Sequence, residues 1–290
     1  MSTKNFIILG MGFVSKRHLE AIKAVGGNLL AYHDTHDGVG HVDAYFINAL
    51  YYPEFIHFNL FIDRYLQSDN MIDYAVVLLP NHLHNPACRW AMKMGMDVIC
   101  EKPLVLYEKN LDELAETESR TGRKVNTILQ MRLHDEAARL RYDIDSSGSR
   151  FHEAKIIYNT PRGHWFRHDG GWKSDPKRSG GLFMAIGVHI ADFLSTIFGK
   201  HVCSTVDHVN NETISGRILF ERGNISFILS VSPSLKSERI FTVDGNIYDF
   251  TNGFMDLHVK SYERIISGEG FGIKDAREGI RICEEIRRLS

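Results

Sequence analysis

Residues Asn5–Leu9 form a short apolar run that ends in Gly10-Met11-Gly12-Phe13-Val14-Ser15. Helical spacing begins at once, with Val14, Leu19, Ile22 and Val25 on one face. A G-x-G-x-x-small turn between a strand and a helix is the opening of a βαβ unit that holds a dinucleotide. Gly10 makes the tight turn, and Gly12 lets the backbone approach a pyrophosphate. Phe13 and Val14 complete the loop, and Ser15 is small enough for the helix to pack closely on the strand. The helix start offers free N–H groups and its positive dipole end to the anion. Asp34 follows Gly12 by 22 residues, at the end of a second apolar run at 28–32. A carboxylate there accepts hydrogen bonds from ribose hydroxyls and repels a 2′-phosphate, so the expected cofactor is NAD rather than NADP.

The rest of the first half keeps this rhythm. Apolar runs at 74–79, 97–100 and 124–129 alternate with helical spacing at 54–66, 83–94 and 110–121. Continuous apolar strands separated by helices predict a parallel sheet covered on both faces. From Arg150 the text turns strand-rich, with runs at 153–158, 202–209, 213–220, 225–231 and 239–243. Hairpin-type turn signals stand at Arg222-Gly223-Asn224, Asp244-Gly245-Asn246 and Thr251-Asn252-Gly253. Helices are expected at 186–198, 254–266 and 274–288. The chain of 290 residues is long for one domain. It divides into an NAD-binding Rossmann α/β domain at 1–129 and a substrate-binding and oligomerisation α+β domain at 130–290. The second is built on a largely antiparallel open sheet.

Composition excludes several classes. Lys plus Arg is 34 against 36 Asp plus Glu, too balanced for bulk electrostatic wrapping of nucleic acid. The four cysteines, Cys88, Cys100, Cys203 and Cys283, lie far apart, without CxxC spacing. They read as reduced thiols in a cytoplasmic protein, with neither a metal site nor a disulfide framework. No apolar run approaches the ~20 residues that span a bilayer, and no membrane partner is expected.

Two motifs sit at the carboxyl ends of strands, where open α/β sheets bind ligands. They are Pro80-Asn81-His82-Leu83-His84 and Cys100-Glu101-Lys102-Pro103-Leu104. With the glycine turn, Asp34 and Ser179-Gly180-Gly181…Gly187-Val188-His189-Ile190-Ala191-Asp192, this order resembles the Gfo/Idh/MocA oxidoreductases. Further segments resemble one branch of that family, the bacterial UDP-N-acetylglucosaminuronate 3-dehydrogenases. They are Gln130-Met131-Arg132-Leu133-His134, Arg162-Gly163-His164-Trp165, Trp172-Lys173 and the tail Asp256-Leu257-His258…Ser261-Tyr262-Glu263. The resemblance implies NAD-dependent oxidation of a UDP-sugar C3 hydroxyl to a ketone, in surface-polysaccharide (O-antigen) biosynthesis. It also implies a homodimer or homotetramer paired through the C-terminal sheet. The alternatives are a dehydrogenase of UDP-N-acetylglucosamine or of a free polyol, and a non-catalytic NAD-binding regulator.

Oxidising a secondary alcohol requires a group that takes the hydroxyl proton. Lys102 and His189 are the candidates, and the resemblance sets both beside the substrate. An isolated histidine on an apolar helix would read as core. Many relatives carry Asp four residues before that histidine, where this chain has Ala185. Without this carboxylate to share a proton with Lys102, His189 is expected to be the proton acceptor. Lys102 would then stabilise the developing alkoxide. Asp192, one turn on, would orient either His189 or the fold. Pro80, Asn81, His84 and Glu101 are expected to line the cofactor with Lys102. The stretch 162–178 holds five cations (Arg162, Arg167, Lys173, Lys177, Arg178) against Asp169 and Asp175. Arginine forks suit phosphate and carboxylate. Arg162 is the first choice for a substrate carboxylate, with Arg132, His164 and Lys173 beside it and Trp165 and Trp172 against a ring face.

Overall fold

The computed structural model describes residues 3–36, 38–167 and 171–290. The first sheet is formed by β1 (Asn5–Leu9), β2 (Asn28–His33), β3 (Leu50–Tyr52), β4 (Tyr74–Val77), β5 (Asp97–Cys100) and β6 (Val125–Thr127). All pairs are parallel and the order is β3-β2-β1-β4-β5-β6. This is the doubly wound Rossmann arrangement, with its strand-order reversal between β1 and β4. The sequence explains the burial. Phe6, Ile7, Ile8 and Leu9 are at most 1% exposed, because both faces of β1 carry helices. The helix Ser15–Ala24 covers one face through Leu19, Ala21 and Ile22. The β3 strand, Leu-Tyr-Tyr, is too short to show a period in the sequence.

The second sheet contains β7 (His152–Asn159), β8 (His201–Val209), β9 (Thr213–Phe220), β10 (Gly223–Ser230), β11 (Glu238–Val243) and β12 (Asn246–Asp249). Its order is β12-β11-β7-β10-β9-β8, antiparallel throughout except for the central β7–β10 pair. Two of the three turn signals are hairpins. Asp244 and Gly245, at φ 49° and 85°, turn β11 into β12. Thr251-Asn252-Gly253 makes no hairpin; there the Asn252 carbonyl is held by His134 Nε2 at 2.6 Å. One face of this sheet packs on the helices Val188–Phe198 and Ile273–Leu289.

The helical stretch Pro176–Phe198 has a mean hydropathy of 1.7 over its most apolar window. By length and composition it is long and apolar enough to cross a bilayer, although no uninterrupted apolar run within it approaches that length. In the fold 67% of that window is buried inside the protein, which is the setting of a core helix. The chain also returns to its first domain. The helix Leu257–Ile266 puts Tyr262 and Ile265 into one cluster with Phe6, Ile8 and Leu19. The Phe271 carbonyl accepts from Thr127 N at 2.8 Å at the β6 edge.

Candidate active site

A cleft of about 790 Å³ runs along the carboxyl ends of the first sheet and under the second, within the range of small-molecule sites. Its floor is the glycine turn. Gly10 has φ +94°, and a Cβ there would stand 2.8 Å from the Leu78 carbonyl oxygen, so only glycine fits against β4. A Cβ on Gly12 would meet nothing within 4 Å and would simply occupy the cleft. The helix that follows has no side-chain cap and no acid in its first turn. That is the environment a pyrophosphate requires. Asp34 stands over the turn, its carboxylate accepting from Met11 N and, at 2.8 Å, from His36 N. These bonds fix its orientation toward the lining and leave lone pairs for hydroxyl donors. The open space at Gly12, the uncapped helix start and the aimed carboxylate together fit a dinucleotide.

The two proline motifs close the cofactor side. Pro80, Asn81, His84, Glu101 and Lys102 all line the cleft, but most are committed to the protein. Asn81 Nδ2 donates to the Ser179 carbonyl at 2.8 Å, tying the first motif to the second domain. Both ring nitrogens of His84 lie 2.7 Å from backbone carbonyls, of Pro103 and Leu79. One ring N–H can donate to one of these carbonyls and the other nitrogen is covered by the second, so His84 has no ring atom left for a cofactor. The Lys102–Pro103 peptide is cis. Lys102 Nζ donates to the Ala185 carbonyl at 3.1 Å. The position that lacks the family's carboxylate thus supplies a backbone oxygen instead. Ala185 lies in a π-helical turn, Phe183–Gly187, just before His189, a distortion common at functional sites.

Burial lowers the Lys102 ammonium from its usual range, Arg162 and Arg239 add to this, and Glu101 opposes it. Burial also pushes His189 well below the usual imidazole range, helped by the Lys102 and Arg239 charges and opposed by Glu101. These directions run against His189 as the proton acceptor. A base is most effective with its pKa near the working pH. Lys102 is moved toward that condition and His189 away from it.

The second domain lines the opposite wall with cations. The Arg162 guanidinium lies 5.2 Å from the Phe13 ring centroid, so the two domains touch across the cleft. Lys173 lies 5.3 Å from the Trp172 ring centroid, its pKa lowered to about 8 by burial and by Arg162 and Lys102. Arg178 also lines the cleft. Arg239 was missed in the sequence. It is sandwiched between Tyr158 and Phe254, at 5.2 and 5.0 Å, and its Nε is buried without a partner among the described residues. Its signal lies in the pairing register, which sets Arg239 opposite Tyr158 and is not written in either strand alone.

Two expected substrate ligands stand elsewhere. Arg132 grips Asp192 with Nη2 and Nε at 2.6 and 2.9 Å and donates to the Asp275 carbonyl at 2.8 Å. It is an internal clamp outside the cleft lining, and Asp192 serves the fold rather than His189. His164 is exposed and is not among the lining residues. The Trp165 and Arg167 side chains and residues 168–170 lie outside the described part.

Comparison with known proteins agrees with this architecture. Residues 4–128 match the family model described as "Oxidoreductase family, NAD-binding Rossmann fold" (GFO_IDH_MocA). The WlbA (WbpB) dehydrogenase from Thermus thermophilus, solved with NAD and alpha-ketoglutarate, superposes with a TM-score of 0.94 at 34% identity. That match covers 99% of this chain and 96% of the other. The same enzyme has been solved with NAD and UDP-GlcNAcA, matching at 33% identity with a TM-score of 0.94 and the same coverage. An uncharacterised oxidoreductase of Schizosaccharomyces pombe is 32% identical over 137 residues, 46% of this chain and 36% of its own length. The chain belongs to the Gfo/Idh/MocA oxidoreductases, whose first domain is an NAD-binding Rossmann fold.

Proposed function

We propose that the protein oxidises the C3 hydroxyl of UDP-N-acetylglucosaminuronic acid (UDP-GlcNAcA) to the 3-keto sugar, with NAD as cofactor. The observation that carries this reading is the cationic wall, where Arg162, Lys173, Arg178 and Arg239 face a dinucleotide turn across one cleft. A substrate with a diphosphate and a carboxylate matches that charge; a free polyol does not. The full-length likeness to a protein solved with NAD and UDP-GlcNAcA supports the same choice.

NAD, when bound, supplies the hydride acceptor. The Gly10–Ser15 turn and the helix start hold its pyrophosphate, and Asp34 holds the adenosine ribose. We assign the proton to Lys102. Its Nζ takes the C3 hydroxyl proton, and the Ala185 carbonyl keeps that amine in place. The neutral His189 ring hydrogen-bonds the same oxygen. Arg162 and Arg239 hold the anionic groups, and Trp172 offers a ring face. The same reading places the reaction in surface-polysaccharide synthesis in the cytoplasm. Copies of the chain would pair through the second sheet, whose strands expose Val202, Val209, Ile228 and Ile247.

The test is NADH formation by purified protein with UDP-GlcNAcA, UDP-N-acetylglucosamine and inositol, each with and without alpha-ketoglutarate. Formation of NADH, or of 2-hydroxyglutarate, only with the uronate supports the proposal. Equal activity with UDP-N-acetylglucosamine would remove the carboxylate from it. Tight NAD binding without turnover of any sugar would make the protein a regulator.

A further inference from the structure

Behind Lys102 lies a buried chain of four side chains that the chemistry above does not use. Glu101 Oε1 is reached by His18 Nε2 at 3.0 Å and by His258 Nε2 at 3.1 Å, while Glu101 Oε2 accepts from Lys102 N at 3.1 Å. Tyr262 Oη lies 2.8 Å from His18 Nδ1. Burial opposes charge on Glu101, but the two histidine hydrogen bonds outweigh it and hold its carboxyl well below the usual range. Burial keeps His18 neutral by lowering its pKa. Facing a carboxylate, its proton must sit on Nε2, so Tyr262 donates to Nδ1. In a neutral His258 ring the same geometry holds the one proton on Nε2, facing Glu101. The remaining atom, His258 Nδ1, is then a lone-pair acceptor. It is buried without a partner among the described residues, on a side chain only 1% exposed that nonetheless lines the cleft. Such an atom calls for a donor that arrives with a ligand. His18, Glu101 and His258 are also close enough to suggest a metal site, but their facing atoms are already spent on one another.

The topology says which ligand. Asp34 follows β2, on the adenosine side of the strand reversal, and Glu101 follows β5, on the other side. A dinucleotide spans that crevice, so its nicotinamide half lies toward Glu101. We propose that His258 Nδ1 accepts a hydrogen bond from an O–H or N–H of the nicotinamide-riboside half of NAD. His18, Glu101 and Tyr262 are positioning residues that fix the accepting tautomer. This rests on the NAD reading of the cleft.

Two variants separate contact from scaffolding. His258→Gln keeps an N–H for Glu101 and removes the acceptor. His258→Asn keeps an oxygen near the Nδ1 position and loses the bond to Glu101. Calorimetric titration with NAD should show His258→Gln weakened about three- to tenfold, the worth of one neutral hydrogen bond. His258→Asn should lie closer to wild type. ADP, which lacks the nicotinamide riboside, should bind all three alike. The reverse order of the variants, or equal losses for NAD and ADP, would overturn the proposal. Wild-type protein that fails to bind NAD would instead overturn the cofactor reading beneath it. Nitrogen-15 imidazole spectra should report the Nε2–H tautomer of His258 in wild type and a mixture in Glu101→Gln. Unchanged tautomer populations would remove the positioning role.

Discussion

Replacing Arg132 by Met separates a structural arginine from a substrate-binding one. The Arg132 side chain is 11% exposed and its partner Asp192 only 2%. Their bidentate contact, at 2.6 and 2.9 Å, is reinforced by the Asp275 carbonyl at 2.8 Å. Arg132→Met would leave the Asp192 carboxylate buried and unpaired, which costs about 3–5 kcal/mol. At about 2–4 °C per kcal/mol, the thermal midpoint should fall by roughly 6–20 °C. Arg132→Met/Asp192→Leu should recover most of the loss, because an apolar pair carries no unpaired charge. Calorimetry measures the midpoints, and titration well below them measures ligand affinity. NAD and UDP-sugar affinities of the single variant should stay near wild type. A variant that melts like wild type but binds the UDP-sugar poorly would refute this placement and restore Arg132 to the substrate site.

Asp34→Ser should relax the preference for NAD over NADP, as read by titration with both; equal wild-type affinities would remove Asp34 from that role. Arg162→Ala should cost the uronate roughly 1.5–3 kcal/mol more binding energy than UDP-N-acetylglucosamine, the worth of a charge-assisted bond, and equal losses would move the carboxylate contact elsewhere. With Lys102 as base, kcat/KM should rise with pH as its lowered ammonium loses a proton, giving a limb below the usual lysine range that disappears in Lys102→Met. His189→Asn should lower turnover and keep that limb; a limb lost with His189 instead would return the proton to the histidine.

Local pattern made the first domain legible. The glycine turn, Asp34 and the two proline motifs each follow a strand whose apolar run is continuous, and all line one cleft. The chemistry of long-range partners was not legible. Nothing in the text around Arg132 announces Asp192, 60 residues on, so an arginine leaving a strand end looked like an anion ligand. Arg239 enters the cleft only because β11 pairs with β7. His84 appeared available until two carbonyls from separate loops converged on its ring. The proton assignment turned on burial and on cations from the other domain, neither of which residue type records. The tail motif around His258 was visible as a pattern, yet its connection to Glu101 requires the last helices to fold back onto the first.

The central claim is that this chain removes hydride from C3 of an anionic UDP-sugar. Single-turnover oxidation of UDP-GlcNAcA carrying deuterium at C3, followed by mass analysis of cofactor and sugar, tests it directly. The account predicts deuterium on the reduced cofactor, a sugar product lighter by the lost C3 deuterium and hydroxyl proton, and slower turnover than with unlabelled substrate. Reduced cofactor without deuterium, with the label retained at C3, would contradict it.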